Sequence, residues 1–149
     1  MQREIGPSLA LSTVRVPGVS VQQPRLLIVD DDAESRELLC EFLGANGYAV
    51  EAAADGKAAR EALTHESAYR IVIADLRMPE ESGIDLLRNL RRQNLRHDII
   101  LMSSFISGTE RQIAKELGAH ALLEKPFRLS ALLEVVAELA ARNPIGISS

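Results

Sequence analysis

Apolar residues gather in four short continuous runs, Leu26–Val29, Ile71–Ala74, Ile99–Met102 and Ala121–Leu123, and in a weaker alternating one, Tyr48–Ala53. Runs of this length predict strands. Their continuous apolar character predicts burial on both faces, as in a parallel sheet. Helical spacing separates the runs. A first helix is predicted over about Ala33–Ala45, with Leu39, Phe42 and Leu43 inward and Gly47 just past its end. A second, Gly56–Thr64, follows Asp55 as its N-cap and offers Ala59, Ala62 and Leu63 to the core. A third starts at Ser82 with Asp85 three residues on, a capping-box arrangement, and buries Leu86, Leu87 and Leu90. The fourth repeats that signal with Ser107 and Glu110, then carries Ile113, Ala114 and Leu117. The fifth spans about Leu129–Arg142, with Leu129, Leu132, Val136 and Leu139 on one stripe.

Strands alternating with helices predict a three-layer α/β domain with right-handed crossovers. A doubly wound parallel sheet of five strands commonly takes the order 2-1-3-4-5. That order makes the first and third strands neighbours at the switch point, where their C-terminal ends line a site. Residues 1–24 lack this periodicity and carry Pro7, Pro17 and Pro24, which predicts a flexible N-terminal arm. Residues 143–149 read as a C-terminal tail, leaving a folded domain over 25–142.

Composition narrows the class. With 149 residues, 46% hydrophobic and 26% charged, the chain suits one globular domain and not a disordered one. A net charge of −4 argues against direct binding to nucleic acid. An aromatic content of 3% with no Trp argues against base-stacking platforms. No apolar run approaches the roughly 18 residues of a membrane span, so no membrane role is expected. The lone cysteine, Cys40, excludes an internal disulfide framework and a multi-cysteine zinc site, and cytoplasmic location is the default.

The candidate chemistry sits at the strand ends. The first strand ends in Asp30-Asp31-Asp32, the third in Asp75, the fourth in Ser103-Ser104 and the fifth in Glu124-Lys125-Pro126. Capping the next helix needs one acid, Asp32. Two more acids facing Asp75 repel each other unless a cation lies among them. Hard oxygen ligands at a hydrated site suit magnesium. Lys125 alone reads equally well as a surface ion-pair partner, and Ser103 alone is uninformative; the constellation is what carries information. A carboxylate can act as nucleophile and form an acyl phosphate, with magnesium and a lysine neutralising charge and a hydroxyl donating to one oxygen. Asp75, flanked by the others, is the expected nucleophile.

These residues resemble the receiver domain of two-component response regulators, including the single-domain chemotaxis type. The resemblance spans about 25–142. It rests on Asp30-Asp31 after an apolar strand, Asp75-Leu76-Arg77-Met78-Pro79 with Gly83, Gly47-Tyr48-Ala49-Val50, Asp55-Gly56, Ser103, Gly118-Ala119 and Lys125-Pro126-Phe127. It implies a flavodoxin-like (βα)5 fold and phosphorylation on aspartate by a histidine kinase or a phosphotransfer protein. It implies Asp75 as phosphoacceptor, and magnesium held directly by Asp31, Asp75 and the backbone carbonyl of Arg77, with Asp30 acting largely through water. Ser103 is implied to sense the phosphoryl group and Lys125 to pair with it, across a cis bond to Pro126. The output is implied to be a changed helix 4–strand 5–helix 5 face that meets an unknown output protein or a second copy of the chain. Leu122 stands where the family usually has an aromatic residue, so coupling is expected to be weaker or to use another side chain such as Phe105. Arg77 is expected to lean across the path of hydrolytic water.

Two other readings compete. A haloacid-dehalogenase-type phosphatase also uses Asp, magnesium, Ser and Lys, but places its nucleophile on the first strand with a second Asp two residues on, where this chain has Arg77. A phosphorylation-independent pseudo-receiver scaffold would not need the intact acids. A flavodoxin is disfavoured because Asp30–Asp32 would repel a flavin phosphate. The chain is expected to be a signalling receiver that catalyses only its own phosphotransfer and autodephosphorylation. His65, His97 and His120 are scattered and expected at solvated loops or edges, and the Arg88, Arg91, Arg92, Arg96 run is expected to form a solvated face.

Overall fold

The computed structural model describes residues 24–65 and 69–142. In chain order they form β1 (Arg25–Val29), α1 (Ala33–Ala45), β2 (Ala49–Ala53), α2 (Gly56–His65), β3 (Tyr69–Asp75), α3 (Gly83–Arg92), β4 (Asp98–Ser103), α4 (Gly108–Glu116), β5 (Ala121–Glu124) and α5 (Leu129–Arg142). The strands make one parallel sheet in the order β2-β1-β3-β4-β5, the common order expected of a five-stranded doubly wound sheet. The predicted tail, and all of the predicted arm except Pro24, lie outside the described residues.

Each central strand feeds two cores. Leu27, Val29, Val72, Ala74, Ile99 and Leu101 point to the side covered by α2, α3 and α4, against Ala59, Leu63, Leu86, Leu87, Leu90 and Ala114. Leu26, Ile28, Ile71, Ile73, Ile100 and Met102 point to the side covered by α1 and α5, against Leu39, Leu43, Leu132, Val136 and Leu139. Strand side chains alternate between faces, so only strands covered on both sides carry apolar residues at successive positions. The expectation of two-sided burial holds for β1, β3 and β4 but not for β5, whose Ala121, Leu122 and Leu123 are each half-buried. β5 is an edge strand with β4 on one side, which its apolar run could not disclose.

The helix starts follow their local signals. Asp32 caps α1 by accepting from the Ser35 amide at 3.0 Å. Asp55 accepts from the Ala58 amide at 2.8 Å before α2. Ser82 with Asp85, and Ser107 with Glu110, form reciprocal capping boxes on α3 and α4. These caps fix where the loops after β1, β2, β3 and β4 turn, at the C-terminal edge of the sheet.

Candidate functional site

Strand register sets the site. Val29 lies beside Ala74, Asp75 beside Met102, and Ser103 beside Glu124. The next residues out, Asp30 and Lys125, therefore reach the same mouth as Asp75. Lys125 Nζ donates to Asp75 Oδ2 at 2.7 Å and stands 3.8 Å from Asp30 Oδ2. The Lys125–Pro126 bond is cis, as the resemblance implies.

Asp75 is 7% exposed, with Oδ1 accepting from the Arg77 amide at 2.8 Å. Asp30 is fully buried; its Oδ1 accepts from the Asp32 amide at 2.9 Å. Its Oδ2 is buried with no hydrogen-bond partner. Burial pushes the Asp30 carboxyl up, opposed by the Asp32 amide and Lys125 and reinforced by Asp75 and Asp31. Burial works against charge on Lys125, yet its bond to Asp75 and the charges of Asp75, Asp30 and Asp32 hold the ammonium above its ordinary value. Asp31 is exposed at the lip of the mouth.

Close packing makes this mouth possible. A Cβ on Gly83 would sit 2.8 Å from the Asp75 carbonyl oxygen and 2.9 Å from Leu101 Cδ2. Only glycine lets α3 start so near the strand that carries Asp75. Leu76 donates its amide to the Met102 carbonyl at 2.7 Å, and the Lys125 amide donates to the Ser103 carbonyl at 2.7 Å, so β3, β4 and β5 are tied together just beyond their ends.

Among the described residues no three His, Cys, Asp or Glu side chains form a ready cage for a metal ion. The donor set still fits a hydrated hard cation. Magnesium takes one or two carboxylates, keeps several waters and accepts phosphate oxygens, so it needs no all-protein cage. The buried Asp30 Oδ2, which lacks a hydrogen-bond partner and shares Lys125 with Asp75, is the observation that supports a fit. Lys125 brings two of the expected residues, Asp30 and Asp75, to one ammonium; Asp31 follows Asp30 directly in the chain and Arg77 follows Asp75 by two residues.

The loop after β4 is closed by Ser103, and one expectation, that for the Arg77 side chain, changes. The Ser103 hydroxyl, fully buried, donates to the Phe105 carbonyl at 2.9 Å and accepts from the Phe105 amide at 3.3 Å. In this state it closes its own loop. The Arg77 side chain is not free over the mouth: its guanidinium pairs with both Glu110 oxygens, at 2.5 and 2.8 Å, and with the Phe105 carbonyl at 3.1 Å. An exposed cation is drawn to the available carboxylate, and here that carboxylate belongs to the first turn of α4.

The family is settled by comparison. A model of the response regulator receiver domain matches residues 26–137. The chain belongs to the response regulator receiver family. The transcriptional regulatory protein PmrA of Pectobacterium parmentieri is 35% identical over 119 residues, 80% of this chain and 53% of that protein. Protein PetR of Rhodobacter capsulatus is 36% identical over 133 residues, 85% of this chain and 55% of that protein. The chain thus spans about half the length of these curated relatives. A response regulator receiver protein from Pseudomonas putida, of known structure, is 36% identical with a TM-score of 0.73, covering 78% of this chain and 98% of that one. The Francisella response regulator 1452 receiver domain is 30% identical with a TM-score of 0.74, covering 80% and 98%.

As a receiver domain the chain has a signalling role, and its flavodoxin-like sheet is the receiver fold. The phosphatase and scaffold readings find no support. Among the described residues no helix is long and apolar enough to cross a membrane.

Some features were not read from the sequence. His97 is 9% exposed, not solvated, and its Nδ1 has no partner. Arg91 is half-buried and donates to the carbonyls of Leu117, Leu95, His97 and Gly118. The expected solvated faces fail at these two residues: the turns after α3 and α4 close on the Arg91 guanidinium, and His97, in the first of those turns, is buried with them. Cys40 is half-buried, and burial pushes its thiol up, which suits a quiet thiol.

Proposed function

We propose that Asp75 is the phosphoacceptor, taking a phosphoryl group from a histidine kinase or a histidine phosphotransfer protein. The Asp75 carboxylate attacks phosphorus, the bond from phosphorus to the donor imidazole nitrogen breaks, and that nitrogen ends neutral with the electron pair. The product is an acyl phosphate. Magnesium, when bound by Asp31, Asp75 and the Arg77 carbonyl with Asp30 acting through water, supplies positive charge against the phosphoryl oxygens. Lys125, just past the end of β5, supplies a second positive charge and Ser103 a hydroxyl proton. The observation that carries this reading is the 2.7 Å Lys125–Asp75 contact next to a buried Asp30 oxygen that has no hydrogen bond. Together they make an acid site with a cation already in place and a carboxylate oxygen that lacks a hydrogen bond.

The signal leaves through the α4–β5–α5 face. That face begins at the loop after β4, which Ser103 itself closes, and includes the half-buried edge strand β5. Its partner is an output protein or a second copy of the chain, and the cytoplasm is where such kinases deliver their phosphoryl groups. Acetyl phosphate with magnesium is expected to add one phosphoryl group by intact mass. Asp75→Asn, which keeps the shape and removes the nucleophile, is expected to lose the label. Equal labelling of that variant would disprove the assignment.

A further inference from the structure

The N-terminal end of α4 carries a side-chain cluster that the acid mouth does not explain. Arg77 follows Asp75 by two residues, and its amide is committed to Asp75 Oδ1. Its guanidinium reaches away to α4. Both nitrogens of its fork donate to Glu110, and one also donates to the Phe105 carbonyl. That same carbonyl accepts from the Ser103 hydroxyl. Glu110 is the third residue of α4 and also accepts from the Ser107 amide at 3.0 Å. One side chain thus joins the loop after β3, the loop after β4 and the first turn of α4.

A serine hydroxyl has one proton to give. While Ser103 donates to the Phe105 carbonyl, that proton is not available to a phosphoryl oxygen. The Arg77 fork donates to the same carbonyl. Planar guanidinium matches carboxylate in two parallel bonds, so the grip fixes orientation as well as distance.

We propose that Arg77 is a positioning residue for the response to phosphorylation: its fork on Glu110 and Phe105 holds the 104–107 loop in the arrangement that keeps the Ser103 proton on the Phe105 carbonyl. It loosens when Ser103 turns to a phosphoryl group. This rests on the reading of Asp75 as phosphoacceptor. The fork stabilises the resting arrangement alone, so a ligand specific for the other arrangement binds in proportion to how little of the resting one remains.

The test is beryllofluoride with magnesium, titrated onto the full chain and followed by calorimetry and amide spectra. Glu110→Gln is the deciding variant. It keeps an oxygen for the Ser107 amide, so the cap survives, and removes the charge that Arg77 grips. The pair is partly exposed, so its loss is expected to tighten apparent binding by up to about fivefold. Arg77→Gln is expected to add nothing further in the Glu110→Gln background, because the two changes break one contact. In protein without metal or fluoride, the Phe105 amide is expected to exchange with solvent faster in Glu110→Gln than in wild type. Unchanged or weaker beryllofluoride binding by Glu110→Gln overturns the proposal, and so do fully additive effects of the two variants. A wild-type chain that fails to respond to beryllofluoride overturns the phosphoacceptor reading and the positioning role with it.

Discussion

Helix α4 is held by an arginine at each end, and the two grips differ in kind. At its start, Arg77 is 50% exposed and pairs with a side-chain carboxylate and one carbonyl. At its end, Arg91 is half-buried and spreads over four backbone carbonyls from the turns after α3 and α4, at 2.9 to 3.4 Å. A carboxylate on a flexible side chain can be exchanged for another anion or for water at little cost. Carbonyls in a closed turn have no such freedom, and leaving them without a donor is costly. The first end is built to let go and the second to stay. α4 is therefore expected to move more at its start than at its end when the loop after β4 rearranges.

Stability measurements should separate the two grips. Arg91→Ala removes the donor for carbonyls of Leu95, His97, Leu117 and Gly118. It is expected to destabilise the fold by about 2 kcal/mol in urea unfolding. Arg77→Ala is expected to cost less than about 1 kcal/mol, as partly exposed pairs do. Equal losses for the two variants would erase the distinction between a fixed and a releasable end.

A smaller effect reports on the fixed end through pH. Burial and then the Arg91 charge hold the His97 imidazole below its ordinary value of 6.5, with Arg70 acting in the same direction and Asp98 against it. In the unfolded chain His97 takes its proton first as pH falls. The stability it contributes is therefore complete above about pH 6.5 and is lost as pH drops towards the folded value. His97→Gln keeps the carbonyl that Arg91 holds and removes the titration. Its stability should fall less steeply than wild type on the acid side of neutrality, and parallel pH profiles would show that His97 is not buried neutral.

The same contrast explains what the sequence disclosed. Ser82 with Asp85 and Ser107 with Glu110 were legible because capping is local, three residues apart. The meeting of Asp30, Asp75 and Lys125 was legible because a doubly wound five-stranded sheet commonly takes the order 2-1-3-4-5, which gathers these strand ends, and because the motif order resembles a known family. Arg77 with Glu110 was not, since they are 33 positions apart and meet only where two loops converge. Arg91 read as one charge in a basic run, and nothing local says that turns will close over it. The apolar run of β5 reads like those of β1, β3 and β4, yet its burial depends on its place at the sheet edge.

The most direct test of the whole account compares amide spectra of the isotopically labelled chain before and after beryllofluoride and magnesium are added. Beyond the surroundings of Asp75, large shifts are expected at Ser103–Glu110, with small ones at Leu117–Gly118 and at the Arg91 guanidinium. The Asp75→Asn variant is expected to show neither set. Shifts confined to the acid mouth, or equal shifts at both ends of α4, would contradict a phosphoryl signal that releases one end of the helix and pivots it on the other.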